Sequence, residues 1–420
     1  MATLTGTDFR PAKPWGWLIG FAAQLNRLLL RRHIVLDILP DDLTLLRNLP
    51  RGCLIAPNHA HYDDPQVTFE LARRAGRRVI FMATREAFDV CRGIWGWCLQ
   101  RLGVFSVNRG GSNVEAGKFA RSVLVNGAYD LLMFPEGEIY LLNDVVMPLK
   151  PGAARLALDA ASDLDRQGRP RPVFVVPVAI KYRFMGNAGP ALEATTARLE
   201  AQVFGEPRTG ALYPRIVSLG VQLLSRAEEE YGVKPDPTWD PFERVLRLRR
   251  TVLERLECKH LGRVREGFDF DRARKLMIRI QGLLLRKHGT SGYYGSSTAP
   301  ADDPLSADLE AANLCARSVA FRDDYLADRP TPERMAETLT KLEREVLGRQ
   351  IRTALGKRRA VIRIAPPVDV LEYLARGKVG SSLDEVLEAV TTRIHETLQA
   401  TLDAIERGEG KAESEASARR

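Results

Sequence analysis

Apolar and polar positions follow two different rhythms along this chain, and the change between them divides it. From His33 to Ile180, short apolar runs alternate with helical stripes. His33–Leu39, Cys53–Ala56, Arg78–Met82, Gly103–Val107, Leu131–Phe134 and Val173–Ile180 read as strands, several of them apolar enough to be buried on both faces. Between them, a pattern beginning at Val67, Phe69, Leu71 and Ala72 is helical, as are Ala116, Phe119, Ala120, Val123 and Leu124, and the segment Ala153–Leu164. Ser112 with Glu115 makes a capping box for the second of these, and Gly127 closes it. Strands alternating with helices predict an α/β fold, a sheet flanked by helices.

Residues 190–357 keep only the helical rhythm. Asp240-Pro241-x-Glu243 starts one helix, with Val245, Leu248, Val252 and Leu256 as its stripe. Leu276, Met277, Ile280, Leu283 and Leu284 mark a second, and Thr331-Pro332-Glu333 starts a third. Gly289–Pro304 is rich in Gly, Ser and Pro and reads as a loop. The strand rhythm then returns at Ala360–Ile364, and Ser382-x-x-Glu385 caps a helix carrying Val386, Val390, Ile394, Leu398, Leu402 and Ile405. A lone strand needs a sheet to bury it, and the only sheet this sequence offers precedes residue 190. The expected organisation is an N-terminal helix over 1–32, an α/β domain of 33–189 plus 358–406, a large mainly helical insertion over 190–357 and a disordered tail over 407–420. Long insertions at surface loops are tolerated because loop-closure cost grows only with the logarithm of length.

Charge and cysteine usage narrow the function. The chain is 45% hydrophobic with a net charge of +9, and ten Lys/Arg against four Asp/Glu fall within residues 65–128. A basic face serves anionic lipid or a phosphorylated substrate. Nucleic acid is not expected, since no zinc finger, helix-turn-helix or RNA-binding aromatic motif accompanies the charge. The five cysteines form no Cys-x-x-Cys pair, which favours a reducing compartment and shows no metal site. With no secretory leader and no apolar run of about 18 residues, the expected location is cytoplasmic. Trp17, Phe21, Leu25 and Leu28 share one side of the first helix, and Arg27, Arg31 and Arg32 close it. That pattern suits a helix lying in an anionic membrane interface, or a terminal helix packed on the domain core.

Chemistry concentrates where the Cys53–Ala56 strand gives way to the next helix, at Asn58-His59-x4-Asp64. A histidine leaving a strand and an aspartate opening a helix can meet across one loop as a general base, the carboxylate fixing the imidazole tautomer. The spacing alone is weak, since roughly 0.4 such pairs arise by chance in a chain of this composition. Asp64 before Pro65 also reads as an ordinary helix start, and His61 and Asp63 offer further partners in the same loop. Independent support comes from placement. His59, Arg109 and Glu136 all follow expected strands, and ligands of α/β sheets bind beyond strand ends.

In this order, four blocks resemble those of the glycerolipid (lysophosphatidate) acyltransferase superfamily: Asn58-His59-x4-Asp64, Gly103–Arg109, Phe134-Pro135-Glu136-Gly137, and Val175-Val176-Pro177-Val178. They cover about residues 30–185. The resemblance implies an O-acyltransferase of phospholipid metabolism, peripheral on the cytoplasmic face of a membrane. It would take acyl-CoA or acyl-carrier protein as co-substrate, a lipid acceptor, and no cofactor. It implies His59 and Asp64 as catalytic residues, with Asn58, Arg109, Glu136, Gly137 and Pro177 on the substrate; Arg109 would hold an acceptor phosphate and Glu136 would help place the glycerol. The third block departs from the family's usual Gly-Thr-Arg, because Glu138 and Ile139 follow Gly137. That departure argues against lysophosphatidate as the acceptor and leaves a different lysophospholipid, or another hydroxylated or aminated lipid, open. A phospholipid-dependent transacylase and a catalytically silent lipid-binding scaffold are the alternatives.

Overall fold

Side chains along the central strands point alternately into two apolar layers, which is why their sequences are apolar throughout. The computed structural model describes residues 9–108, 113–236, 238–288, 303–322, 325–348, 353–377 and 382–408. Its strands are β1 (Ile34–Ile38), β2 (Leu54–Pro57), β3 (Val79–Thr84), β4 (Val104–Val107), β5 (Asp130–Leu132), β6 (Phe174–Phe184), β7 (Arg358–Ile364) and β8 (Val368–Asp369). They form one mixed sheet in the order β1-β7-β6-β2-β5-β3-β4, with β8 also paired to β6. The helices α1 (Gly16–His33), α2 (Pro40–Asn48), α3 (Asp64–Arg74), α4 (Ile94–Arg101), α5 (Val114–Asn126) and α6 (Gly152–Arg166) are interleaved with the early strands. Leu54, Ala56, Leu131 and Val175 pack with Ala120 and Leu124 of α5 and Leu158 of α6 on one face. Ile55, Leu132, Val176 and Val178 pack with Leu30 of α1, Leu46 of α2 and Val67 and Leu71 of α3 on the other.

The chain divides into two compact units, Met1–Met185 with Lys357–Arg420, and Gly186–Gly356. The division falls at 185/186 and 356/357, not at 189/190 and 357/358, because β6 runs on to Phe184 and β7 starts at Arg358. β7 lies antiparallel to β6, from Val178 opposite Ile364 to Phe184 opposite Arg358, and parallel to β1. β1 therefore reaches the sheet only through β7. After β8 come two more helices of this unit, the short one at Val370–Gly377 and the long one at Leu383–Arg407, with the Ser382–Glu385 capping box at the head of the latter. Of the Ser112–Glu115 box, Ser112 lies outside the described residues; so do Gly289–Asp302 and residues 409–420 of the expected tail.

β2, β5 and β6 run parallel, so their carboxyl ends open on one edge. The opposite edge is bolted by a buried bidentate pair. Arg77 Nε and Nη2 each lie 2.7 Å from an oxygen of Asp130, and Asp130 Oδ1 also accepts the backbone N–H groups of Gly52 and Cys53. The start of β2 is thereby tied to β5 beneath the site.

The second unit is built of α7 (Gly189–Phe204), α8 (Leu212–Glu230), α9 (Pro241–Leu261), α10 (Asp269–His288), α11 (Pro304–Ser318) and α12 (Pro332–Leu347), so the two later helices of the first unit are α13 and α14. Three of these six, α7, α8 and α11, were not marked by the sequence patterns. Asp240 and Thr331 cap α9 and α12 with side-chain bonds, but α7 and α8 begin without a side-chain cap. Asp303, the cap of α11, sits at the end of a stretch whose composition reads as loop.

Candidate functional site

β2 stops at Pro57 while its partner β6 continues to Phe184, which leaves buried β6 backbone in need of partners. Asn58 supplies them. Its Nδ2 donates to the Ile180 carbonyl (3.0 Å) and its Oδ1 accepts from the Ile180 N–H (2.7 Å). Two residues on, Asn143 repeats this with Tyr182 at 2.8 and 2.7 Å. The ladder is thus extended by amide side chains. Asn58, expected on the substrate, is instead buried and bound to the sheet on both sides of its amide.

His59 follows, its ring stacked on Phe134 with centroids 3.9 Å apart. Its Nδ1 lies 2.9 Å from Asp64 Oδ2, and its side chain is 13% exposed while that of Asp64 is fully buried. Asp64 Oδ2 also accepts the His61 N–H (2.8 Å), and Oδ1 accepts the Tyr182 hydroxyl (2.6 Å). Since a carboxylate only accepts, His59 Nδ1 carries the proton and Nε2 keeps its lone pair. Asp64 is not a cap in the ordinary sense. Asp63 holds the N-cap position without a side-chain cap bond, and the Asp64 carboxylate turns back to the loop that precedes it. Tyr182, like Asn143, is a residue that sequence reasoning missed. Burial, with Asp64 beside it, pushes its hydroxyl well above the usual phenol range. A polar ring at the end of an apolar strand is a faint signal, and nothing in the spacing links it to Asp64.

Glu136 lies beneath this loop. Its Oε1 accepts the His59 N–H at 2.7 Å and its Oε2 the Met147 N–H at 3.1 Å. Expected beside the acceptor, it is buried and braces the backbone of His59. Burial pushes its carboxyl up to about 8, against the pull of the two amide donors. Gly137 makes the turn possible: its φ of +74° is left-handed and its N–H closes back on the Phe134 carbonyl at 3.1 Å. Glu138 and Ile139 follow, both partly exposed.

Pro177, expected on the substrate, is placed within the sheet. It pairs in register with Ala56, and its carbonyl accepts from Ala365 N–H. Its nitrogen faces that same edge, where β8 gives way to β7, so the missing N–H falls in a gap of the ladder. His61 is engaged by Asp63, 3.3 Å from its Nδ1, and by the Arg358 guanidinium at its Nε2. Arg109 lies outside the described residues. Among the described residues no cluster of His, Cys, Asp and Glu is arranged to hold a metal ion.

A second surface of the same unit is apolar. Ala23 and Leu30 of α1 are buried, and Asn26 donates to the Gln66 carbonyl of α3 at 3.0 Å, while Trp17, Phe21 and Leu28 are exposed. Trp15 meets Trp97 edge-on at 5.4 Å, and the Arg101 guanidinium lies about 5 Å from both rings. Ile94 and Trp95 of α4 are exposed beside them in sequence. Among the described residues, no helix is long and apolar enough to cross a membrane.

Residues 42–181 match the family model described as Acyltransferase. A 1-acyl-sn-glycerol-3-phosphate acyltransferase of Streptococcus pneumoniae (strain ATCC BAA-255 / R6) is 33% identical over 104 residues, which is 25% of this chain and 36% of that relative. The match thus spans little more than a third of the relative's length.

Proposed function

We propose that residues 42–181, which match the Acyltransferase family model, act as a glycerolipid acyltransferase domain, and that this protein moves a fatty acyl chain from acyl-CoA or acyl-carrier protein to a hydroxyl of a lysophospholipid-type acceptor. The observation that carries the reading is the His59–Asp64 contact of 2.9 Å with Nε2 left over. Nε2 takes the proton of the acceptor hydroxyl as its oxygen attacks the thioester carbonyl. The tetrahedral adduct then collapses, and the departing thiolate takes the proton back from the imidazolium. No acyl-enzyme and no cofactor are needed, because a positioned base and two aligned substrates suffice.

The surrounding residues hold this base in place. Asp64 fixes the tautomer, Tyr182 and the His61 amide fix Asp64, and Glu136 fixes the backbone of His59. The resemblance assigns Arg109 to an acceptor phosphate, a task suited to a guanidinium. Glu138 and Ile139 stand where the family's usual hydroxyl and cation would help hold a bare phosphate, which favours an acceptor with a larger head group. The exposed face of Trp17, Phe21 and Leu28, beside the basic Arg27, Arg31 and Arg32, would seat the domain on the anionic cytoplasmic face of a membrane.

The test is turnover of a panel of lysophospholipids with palmitoyl-CoA, palmitoyl-carrier protein or a diacyl phospholipid as donor. Transfer from a thioester that is lost in His59→Ala supports the reading. Transfer from the phospholipid alone would replace it with transacylation, and vesicle binding without turnover from any donor would replace it with a scaffold.

A further inference from the structure

The helical unit contains a cavity of about 880 Å³, near the top of the ~300–1,000 Å³ range of small-molecule sites. Helices α8, α9, α11 and α12 line it, and Ile216, Val221, Leu224, Val245, Leu248 and Leu314 make much of its wall apolar. The space is open to solvent on one side and large enough to admit a small molecule or an alkyl chain.

Several charges at its wall are matched within the unit. Arg317 is held by Glu310 and Glu345, each at 2.9 Å, and Arg226 donates to the Val203 carbonyl at 2.6 Å. Lys341 is different. It is 2% exposed, yet it lines the cavity. Its Nζ donates to the Ala320 carbonyl at 2.9 Å and lies 5.6 Å from the ring centres of both Phe321 and Tyr325. An ammonium carries three N–H donors, and among the described residues that carbonyl is its hydrogen-bond acceptor. Burial holds Lys341 down to about 8, with Glu337 pulling the other way. The wall also carries Glu230, Asp240, Glu310 and Glu345, but a buried cation with spare donors beside its apolar stretch is a place for an anion attached to an apolar body.

We propose that this cavity binds a long-chain fatty acid, its hydrocarbon chain along the apolar wall and its carboxylate on Lys341. The cavity is lined by residues of the Gly186–Gly356 unit and His59 belongs to the other, and the proposal does not depend on the acyl-transfer reading.

Gly220 of α8 supplies a clean test. A Cβ built there meets only Leu342 Cδ2, at 3.9 Å, so a larger side chain grows into the cavity, and replacing a helix-interior glycine favours the helix. Binding of the fluorescent fatty acid cis-parinarate to the full chain is measured by titration, with palmitate and 1-hexadecanol as competitors. Wild type should bind saturably and prefer palmitate. Gly220→Leu should weaken binding at least tenfold with the helical content intact. Lys341→Met should weaken palmitate by about tenfold or more, the worth of one charge-assisted hydrogen bond, and leave hexadecanol nearly unchanged. His59→Ala should bind as wild type does, which keeps this site distinct from loss of acyl transfer. No saturable binding to wild type, or binding unchanged in Gly220→Leu, overturns the site. Equal losses for acid and alcohol in Lys341→Met overturn the carboxylate assignment.

Discussion

The hydroxyl of Tyr182 donates to Asp64 at 2.6 Å, so the carboxylate behind His59 is fixed from a strand 118 residues further along the chain. Tyr182→Phe removes that donor and keeps the ring. It should lower kcat by about tenfold, within the range of one hydrogen bond to a charged group, with both KM values little changed. Asp64→Asn should cost more, and His59→Ala most, by ~10²–10⁴. Because Asp64 loses a donor, it stabilises the imidazolium more strongly, and the acidic limb of the kcat/KM profile in Tyr182→Phe should move to higher pH. A profile that stays put would make Tyr182 a packing residue only.

Glu136 gives a pH signature of stability. Its carboxyl is raised from 4.5 to about 8 in the folded chain, so between those values the native state holds a proton that the unfolded state has released. Stability attributable to this group is therefore fully present below about 4.5 and falls as pH rises toward about 8. Glu136→Gln has no such titration. The difference in urea midpoint between wild type and Glu136→Gln should shrink or reverse from pH 5 to pH 8; a constant difference would contradict the raised carboxyl.

Much of this was legible before any coordinates. The strands around His59 are short, apolar and evenly spaced by helices, and the strand at Ala360–Ile364 could be assigned to the sheet because it had nowhere else to bury its side chains. What was not legible is the division of labour at the site. Asn58, Glu136 and Pro177 stand inside conspicuous motifs, which suggested substrate contact, yet their partners are backbone groups of β6, the His59 loop and the β7–β8 turn. Motif spacing shows that residues are brought together, not which way each side chain turns. Tyr182 and Asn143 were missed for the complementary reason: each acts on a residue far away in sequence through one or two hydrogen bonds that leave no local pattern.

The Arg77–Asp130 pair should dominate stability at the edge away from the site. Both side chains are almost wholly buried, and removing one partner of such a pair leaves a buried uncompensated charge, at about 3–5 kcal/mol. Asp130→Asn should lower the urea midpoint accordingly, while turnover per folded molecule stays near wild type. A loss below about 1 kcal/mol would show that the neighbouring carbonyls of Leu49 and Pro50, which also accept from Arg77, hold the guanidinium on their own.

Vesicle binding tests the apolar face. Trp17 and Phe21 are 69% and 64% exposed, so replacing both with Ser should leave thermal unfolding nearly unchanged. Binding to anionic vesicles should weaken by about tenfold or more, since each buried aromatic contributes ~1.5–3 kcal/mol. Raising salt should weaken wild-type binding too, as exposed charges are screened over about 10 Å at 0.1 M. Equal binding by wild type and double variant would move the membrane contact elsewhere.

The split of the α/β unit around the helical one also sets a timetable on the ribosome. β7, the strand that joins β1 to β6, emerges only after the whole of Gly186–Gly356 has been synthesised. At ~5–20 residues per second, those roughly 170 residues take on the order of 10–30 s. Throughout that interval β6 presents a bare edge, from Val178 to Phe184, where β7 will later pair, and such edges invite association with other nascent chains. β1 has no place in the sheet until the same moment. The Asp64–Tyr182 bond can form early, but Arg358 reaches His61 only after the helical unit has been made, so the loop around His59 is completed by a strand that follows that unit.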